Sequence, residues 1–123
     1  MDANEYQKAA GEFATYGGNS MYPALGLAEE AGEVCGKVAK FIRKHNGFVP
    51  APGVLDEYVP PQYIEDEAAF RADLKKELGD CLWMIAELCN LYDFKLQDVM
   101  QENIAKLTDR RNRGVIVGEG DNR

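Results

Sequence analysis

The sequence predicts an all-α fold, an antiparallel four-helix bundle, on three observations. Apolar residues recur at helical spacing in four separate stretches. No strand-like alternation interrupts them, and no 20- to 50-residue repeat suggests a solenoid or propeller. With 123 residues, 46% of them hydrophobic, the chain has room for one core, so a single domain over residues 1–123 is expected. A chain this short buries only about two-thirds of its unfolded surface, which favours completion of the bundle by oligomerisation.

The first helix is read from Tyr6, Ala9, Ala10 and Phe13, which share one face before Gly17-Gly18 breaks the pattern. A second is expected from about Tyr22 to about His45, with Pro23 in its first turn, where a missing N–H costs little, and Asn46-Gly47 to stop it. Its core face is Leu27, Ala31, Val34, Val38, Phe41 and Ile42. A proline-rich loop follows at about residues 47–65, carrying Pro50, Pro52, Pro60 and Pro61 without periodicity. Its length is unusual for a compact domain, and a lid and a passive excursion are equally good readings of it.

The third helix, from about Asp66 to about Tyr92, has the longest stripe: Phe70, Leu74, Leu78, Cys81, Ile85, Leu88 and Tyr92. The fourth runs from about Leu96 to Arg113, with Leu96, Val99, Met100 and Leu107 on one side and arginines in its last turn, where cations complement the helix dipole.

Twenty-one acidic against 14 basic residues give a net charge of −7, which excludes a general binder of long nucleic acid. A negative protein still handles a polyanion when a divalent cation bridges the two. Cys35, Cys81 and Cys89 are an odd set inside helical patterns, as expected of buried thiols in a reducing cytoplasm. The sequence lacks a signal-like start and a membrane-spanning apolar run, so a cytoplasmic protein without a membrane partner is expected.

Two acid pairs stand at i, i+3 spacing, Glu30 with Glu33 on the second helix and Glu77 with Asp80 on the third. Such pairs share a helix face. Their position against the core gives them weight, because Glu77 falls inside the apolar arc of its helix, Asp80 lies on its edge, and Glu30 and Glu33 border the facing stripe. A carboxylate in such a place is normally protonated, salt-bridged or metal-bound. Two helices each offering two carboxylates suit a hard divalent ion, Mg²⁺ or Mn²⁺. With His45 as the only histidine, di-iron and His-rich zinc sites are disfavoured. The competing reading is a set of surface salt bridges to lysines such as Lys37 and Lys76.

At this point the sequence resembles the MazG-like all-α nucleoside triphosphate pyrophosphohydrolase superfamily. Glu29-Glu30-Ala31-Gly32-Glu33 and Glu77-Leu78-Gly79-Asp80 match its two acidic motifs. Leu25-Gly26-Leu27-Ala28, Cys81-Leu82-Trp83-Met84-Ile85-Ala86 and the run from Asn103 through Lys106 to Arg111 extend the likeness over most of the chain. The resemblance implies Mg²⁺ held by Glu30, Glu33, Glu77 and Asp80, and hydrolysis of a (d)NTP to the (d)NMP and pyrophosphate, in the manner of nucleotide-pool house-cleaning. It also implies a homodimer or homotetramer. Beside the inferred ligands, Glu29 is the candidate to orient or deprotonate the attacking water. Asn103, Lys106 and Arg110 share a face of the fourth helix and are candidate phosphate contacts, as is Lys37, although Lys37 fits a charge-balancing role better. Trp83 points away from the main stripe, which suits a subunit interface or stacking on a base, and the interface is the better reading. The rival reading is a non-catalytic nucleotide- or metal-sensing interaction protein on the same bundle.

Overall fold

The computed structural model describes residues 1–19, 21–47 and 59–120, and among them the expected all-α class holds. Its helices are α1 (Ala3–Gly11), α2 (Met21–Lys44), α3 (Pro61–Leu91) and α4 (Leu96–Asn112), and no strand occurs among the described residues. The chain divides into two compact units, Asn19–Ile85 and Met1–Gly18 with Ala86–Arg123, so that α3 contributes to both.

In the Asn19–Ile85 unit, α2 and the first part of α3 form an antiparallel pair. Phe41 stacks on Phe70 at 4.5 Å between ring centroids, while Lys37, farther from the end of α2, reaches Glu77, farther along α3. The stop signal reads as expected. Asn46 and Gly47 take φ values of 54° and 81°, and the Gly47 N–H donates to the Ile42 carbonyl at 2.9 Å, closing the end of α2.

The start of α3 differs from expectation. The helix begins at Pro61, not near Asp66, and residues 61–65 of the expected loop are helical. Pro61 occupies the first helical position, where a missing N–H is harmless, and the Pro60 carbonyl accepts from the Tyr63 N–H at 2.8 Å. Tertiary contacts then hold this turn. Tyr63 is buried, its ring 4.6 Å from His45 and 5.4 Å from Phe41. Asp66 receives Lys44 at 2.8 Å and faces His45 Nε2 at 3.3 Å. The rest of the proline-rich stretch, and with it the lid reading, lies outside the described residues.

The expected α2 stripe is only partly covered. Leu27, Val34 and Phe41 are half-buried, whereas Ala31, Val38 and Ile42 are exposed. On α3, Leu78 is exposed, and Tyr92 lies past the helix end and is also exposed. The buried positions of α3 are instead Tyr63, Met84, Ala86, Glu87 and Cys89. A fixed 100° per residue places a stripe but not its neighbours, and over 31 residues the covering elements change.

In the other unit, α1 opens with a capping box, in which Asp2 accepts from the Glu5 N–H and Glu5 accepts from the Asp2 N–H. It ends at Gly11, earlier than expected, and Phe13 lies beyond it, 67% exposed. Gln7 binds three partners. Its Nε2 donates to Asn90 Oδ1 at 2.9 Å and the Phe94 carbonyl at 2.8 Å, and its Oε1 accepts from the Leu96 N–H at 2.7 Å. Lys95, at the N-cap of α4, makes no side-chain cap bond, so Gln7 satisfies an otherwise orphaned donor there. Glu87, only 1% exposed, accepts from the Tyr16 hydroxyl and, at 3.1 Å, from Asn90 Nδ2. On α4, Leu96 is buried as expected, but Val99, Met100 and Leu107 are exposed.

Candidate metal centre

The site is built on α2 and α3 within the Asn19–Ile85 unit. Glu30, Glu77 and Asp80 each offer a carboxylate oxygen, all within 4.8 Å of one another. Glu30 and Glu77 are half-buried and Asp80 is exposed. The i, i+3 spacing puts Glu77 and Asp80 on one face of α3, and the antiparallel pairing brings Glu30 opposite them. Partial burial pushes the Glu30 carboxyl above its ordinary range, and the charges of Asp80, Glu29, Glu77 and Glu33 push it in the same direction. The cluster is thus short of positive charge.

Among the described residues, one protein cation answers it directly. Lys37 Nζ lies 3.3 Å from Glu77 Oε1 and 4.0 Å from Asp73 Oδ2. Asp73 is also bound by Lys76 at 3.0 Å and is held below the ordinary carboxylate range, first by the Lys76 hydrogen bond and charge and then by Lys37. Lys37 thus pairs across the two helices with Glu77 and Asp73, and not with Glu30 or Glu33 on its own helix, while Glu30 and Asp80 have no ion pair among the described residues.

Of the expected ligands, the structure brings Glu30, Glu77 and Asp80 together. Glu33 is exposed and stands outside that close set, although its charge still acts on Glu30. Glu29 is likewise exposed, on the neighbouring position of α2. Asn103, Lys106 and Arg110 belong to the other unit. Asn103 and Lys106 are exposed, whereas Arg110 is 5% exposed and its guanidinium donates to the Gly120 carbonyl at 3.5 Å. Trp83 is half-buried.

The donor set fits a hard divalent ion, with three oxygen ligands and no histidine. Burial and the charges of Glu30, Asp80 and Glu77 push up the thiol of Cys81, next to Asp80. The electrostatic part of Cys81 and Asp73 was not visible in the sequence, since neither stands in an acidic motif. The signal available was their helical register, with Asp73 and Cys81 each four residues from Glu77.

No helix of the described residues is long and apolar enough to cross a membrane. No solved structure matches the chain. The chain is 37% identical over 131 aligned positions to the Gene 37 protein of Mycobacterium phage L5, with all of both chains covered. The family model of the MazG nucleotide pyrophosphohydrolase domain matches residues 20–115, a span that contains all three clustered carboxylates. The chain belongs to the MazG nucleotide pyrophosphohydrolase domain family.

Proposed function

We propose that the protein is a Mg²⁺-dependent nucleoside triphosphate pyrophosphohydrolase that converts a (d)NTP to the (d)NMP and pyrophosphate, with Mn²⁺ as an alternative ion. The observation that carries this reading is the convergence of Glu30, Glu77 and Asp80 from two helices, inside the span matched by the family. Glu30, Glu77 and Asp80 would hold the metal, and Glu33, one helical turn beyond Glu30, completes the proposed ligand set. When bound, the ion supplies positive charge that offsets the triphosphate and the charge developing on the leaving group.

The chain's own groups do the rest. Glu29 accepts a proton from the attacking water, whose oxygen bonds to the α-phosphorus as the bond to the bridging oxygen breaks and pyrophosphate departs. Lys37 screens Glu77 in the free protein and is a candidate phosphate contact once substrate arrives. Asn103 and Lys106 present exposed polar ends for phosphate oxygens. Arg110 completes that face in our proposal, although its burial and its bond to Gly120 also give it a use within its own unit.

We also propose a homodimer or homotetramer of one-domain chains, with nucleotide-pool house-cleaning as its purpose. Exposed Leu25, Leu78 and Leu82 in one unit, and exposed Met100 and Ile104 in the other, support this reading as apolar side chains that a second copy would cover.

The deciding experiment is pyrophosphate release from a panel of canonical and modified nucleoside triphosphates, with Mg²⁺ and with chelator, with the nucleoside product identified by chromatography. Metal-dependent monophosphate formation is expected. Nucleotides that bind with Mg²⁺ but are never cut would replace this reading with that of a sensing protein.

A further inference from the structure

Helix α2 carries three interior glycines, and each costs about 1 kcal/mol of helix propensity relative to alanine. A Cβ added at Gly32 or Gly36 would meet nothing within 4 Å. Gly26 is different, because a Cβ there would lie 2.6 Å from Met84 Sδ and 3.4 Å from both Met84 Cε and Cγ. Met84 is only 3% exposed, so its thioether has little freedom to swing aside. Carbon and sulfur pack comfortably at roughly 3.5–4.0 Å, and a methyl at Gly26 would push the two helices apart by about 1 Å if Met84 stayed in place.

The location matters for the carboxylates. Gly26 precedes Glu30 by one helical turn, and Met84 follows Asp80 by one turn. The contact therefore lies about 5–6 Å along each helix from the acids. Metal ligands must be held within about 0.5 Å of their working positions. We propose that Gly26 and Met84 form a spacer contact that sets the separation of α2 and α3 at the carboxylate cluster, which makes both of them positioning residues for the metal. The inference rests on the reading of Glu30, Glu77 and Asp80 as metal ligands.

The test is a Mn²⁺ titration followed by the spin-resonance signal of free Mn²⁺, with helical content and thermal unfolding in chelator measured alongside. It compares the wild type, Gly26→Ala, Gly26→Ala/Met84→Ala, Gly36→Ala and Glu77→Gln. Gly26→Ala is expected to keep its helical content and bind Mn²⁺ about tenfold more weakly, the loss typical when support behind a ligand is disturbed. Removing the Met84 side chain in the double variant should return the affinity to within about threefold of wild type, a rescue that general destabilisation would not produce. Gly36→Ala should bind as the wild type does.

Wild-type affinity in Gly26→Ala, or a double variant as weak as the single one, overturns the spacer while leaving the metal reading intact. If Gly26→Ala does not fold, the double variant decides; a double variant that also fails to fold overturns the proposal, because relieving Met84 should restore the packing. A wild-type protein that binds no Mn²⁺, or one matched by Glu77→Gln, overturns the metal reading and the spacer with it.

Discussion

Replacing Glu30 with glutamine tests the cluster without relying on catalysis. The oxygens of Glu30, Glu77 and Asp80 lie within 4.8 Å of one another. At that distance two unit negative charges repel by roughly 0.9 kcal/mol in water and about 3.5 kcal/mol at an effective dielectric constant of 20. Glu30 faces two such partners, but Lys37 offsets Glu77 at 3.3 Å and the site is partly solvated, so the lower end applies. Removing the Glu30 charge should stabilise the metal-free protein by about 1 kcal/mol, a rise in Tm of roughly 3–5 °C for a chain of this size.

In the wild type, Mg²⁺ at a hundred times its Kd should add about 2.7 kcal/mol by mass action; in Glu30→Gln most of that gain should vanish. Differential scanning fluorimetry in chelator and across a Mg²⁺ series reads both effects. A variant that melts at or below the wild-type temperature in chelator would refute the repulsion. Undiminished stabilisation by Mg²⁺ would remove Glu30 from the ligand set.

Three further outcomes are expected. Tyr16→Phe leaves the buried Glu87 carboxylate without one of its donors and should lower stability by about 1–3 kcal/mol, measured by urea unfolding; an unchanged midpoint would show the contact to be dispensable. Asp66 is held below its ordinary value of 3.8, chiefly by the Lys44 hydrogen bond acting against burial, with Gln62 and the charges of Lys44 and His45 adding to it. Its stabilisation should therefore be complete above pH 3.8 and fade as the pH falls through the lower folded value. The Tm difference between wild type and Asp66→Asn should be steady at neutral pH and shrink in acid; a difference that grows on acidification has the wrong sign. Lys37→Met removes a cation that competes for Glu77 and should leave Mn²⁺ binding tighter by a few-fold, which a Mn²⁺ titration checks, and weaker binding would contradict the charge-balancing role.

Local pattern alone determined the helical class, the four helices and most of their ends. Asn46-Gly47 stops α2 because its left-handed backbone is a property of those two residues, and the acid pairs were legible because i, i+3 spacing fixes a shared face. What tertiary structure decided were the matters of partnership. Tyr63 packing against Phe41 and His45 extended α3 back to Pro61, where proline density argued for a loop. Glu87 looked like an ordinary helical acid until Tyr16 and Asn90 enclosed it, and Gln7 found its use only against Asn90, Phe94 and Leu96. Spacing treated Glu30 and Glu33 alike, but the antiparallel approach of α2 and α3 placed Glu30 within reach of Glu77 and Asp80 and left Glu33 outside the close set. A sequence determines which face a side chain occupies on its own helix; only the packing of a second element determines what that side chain meets.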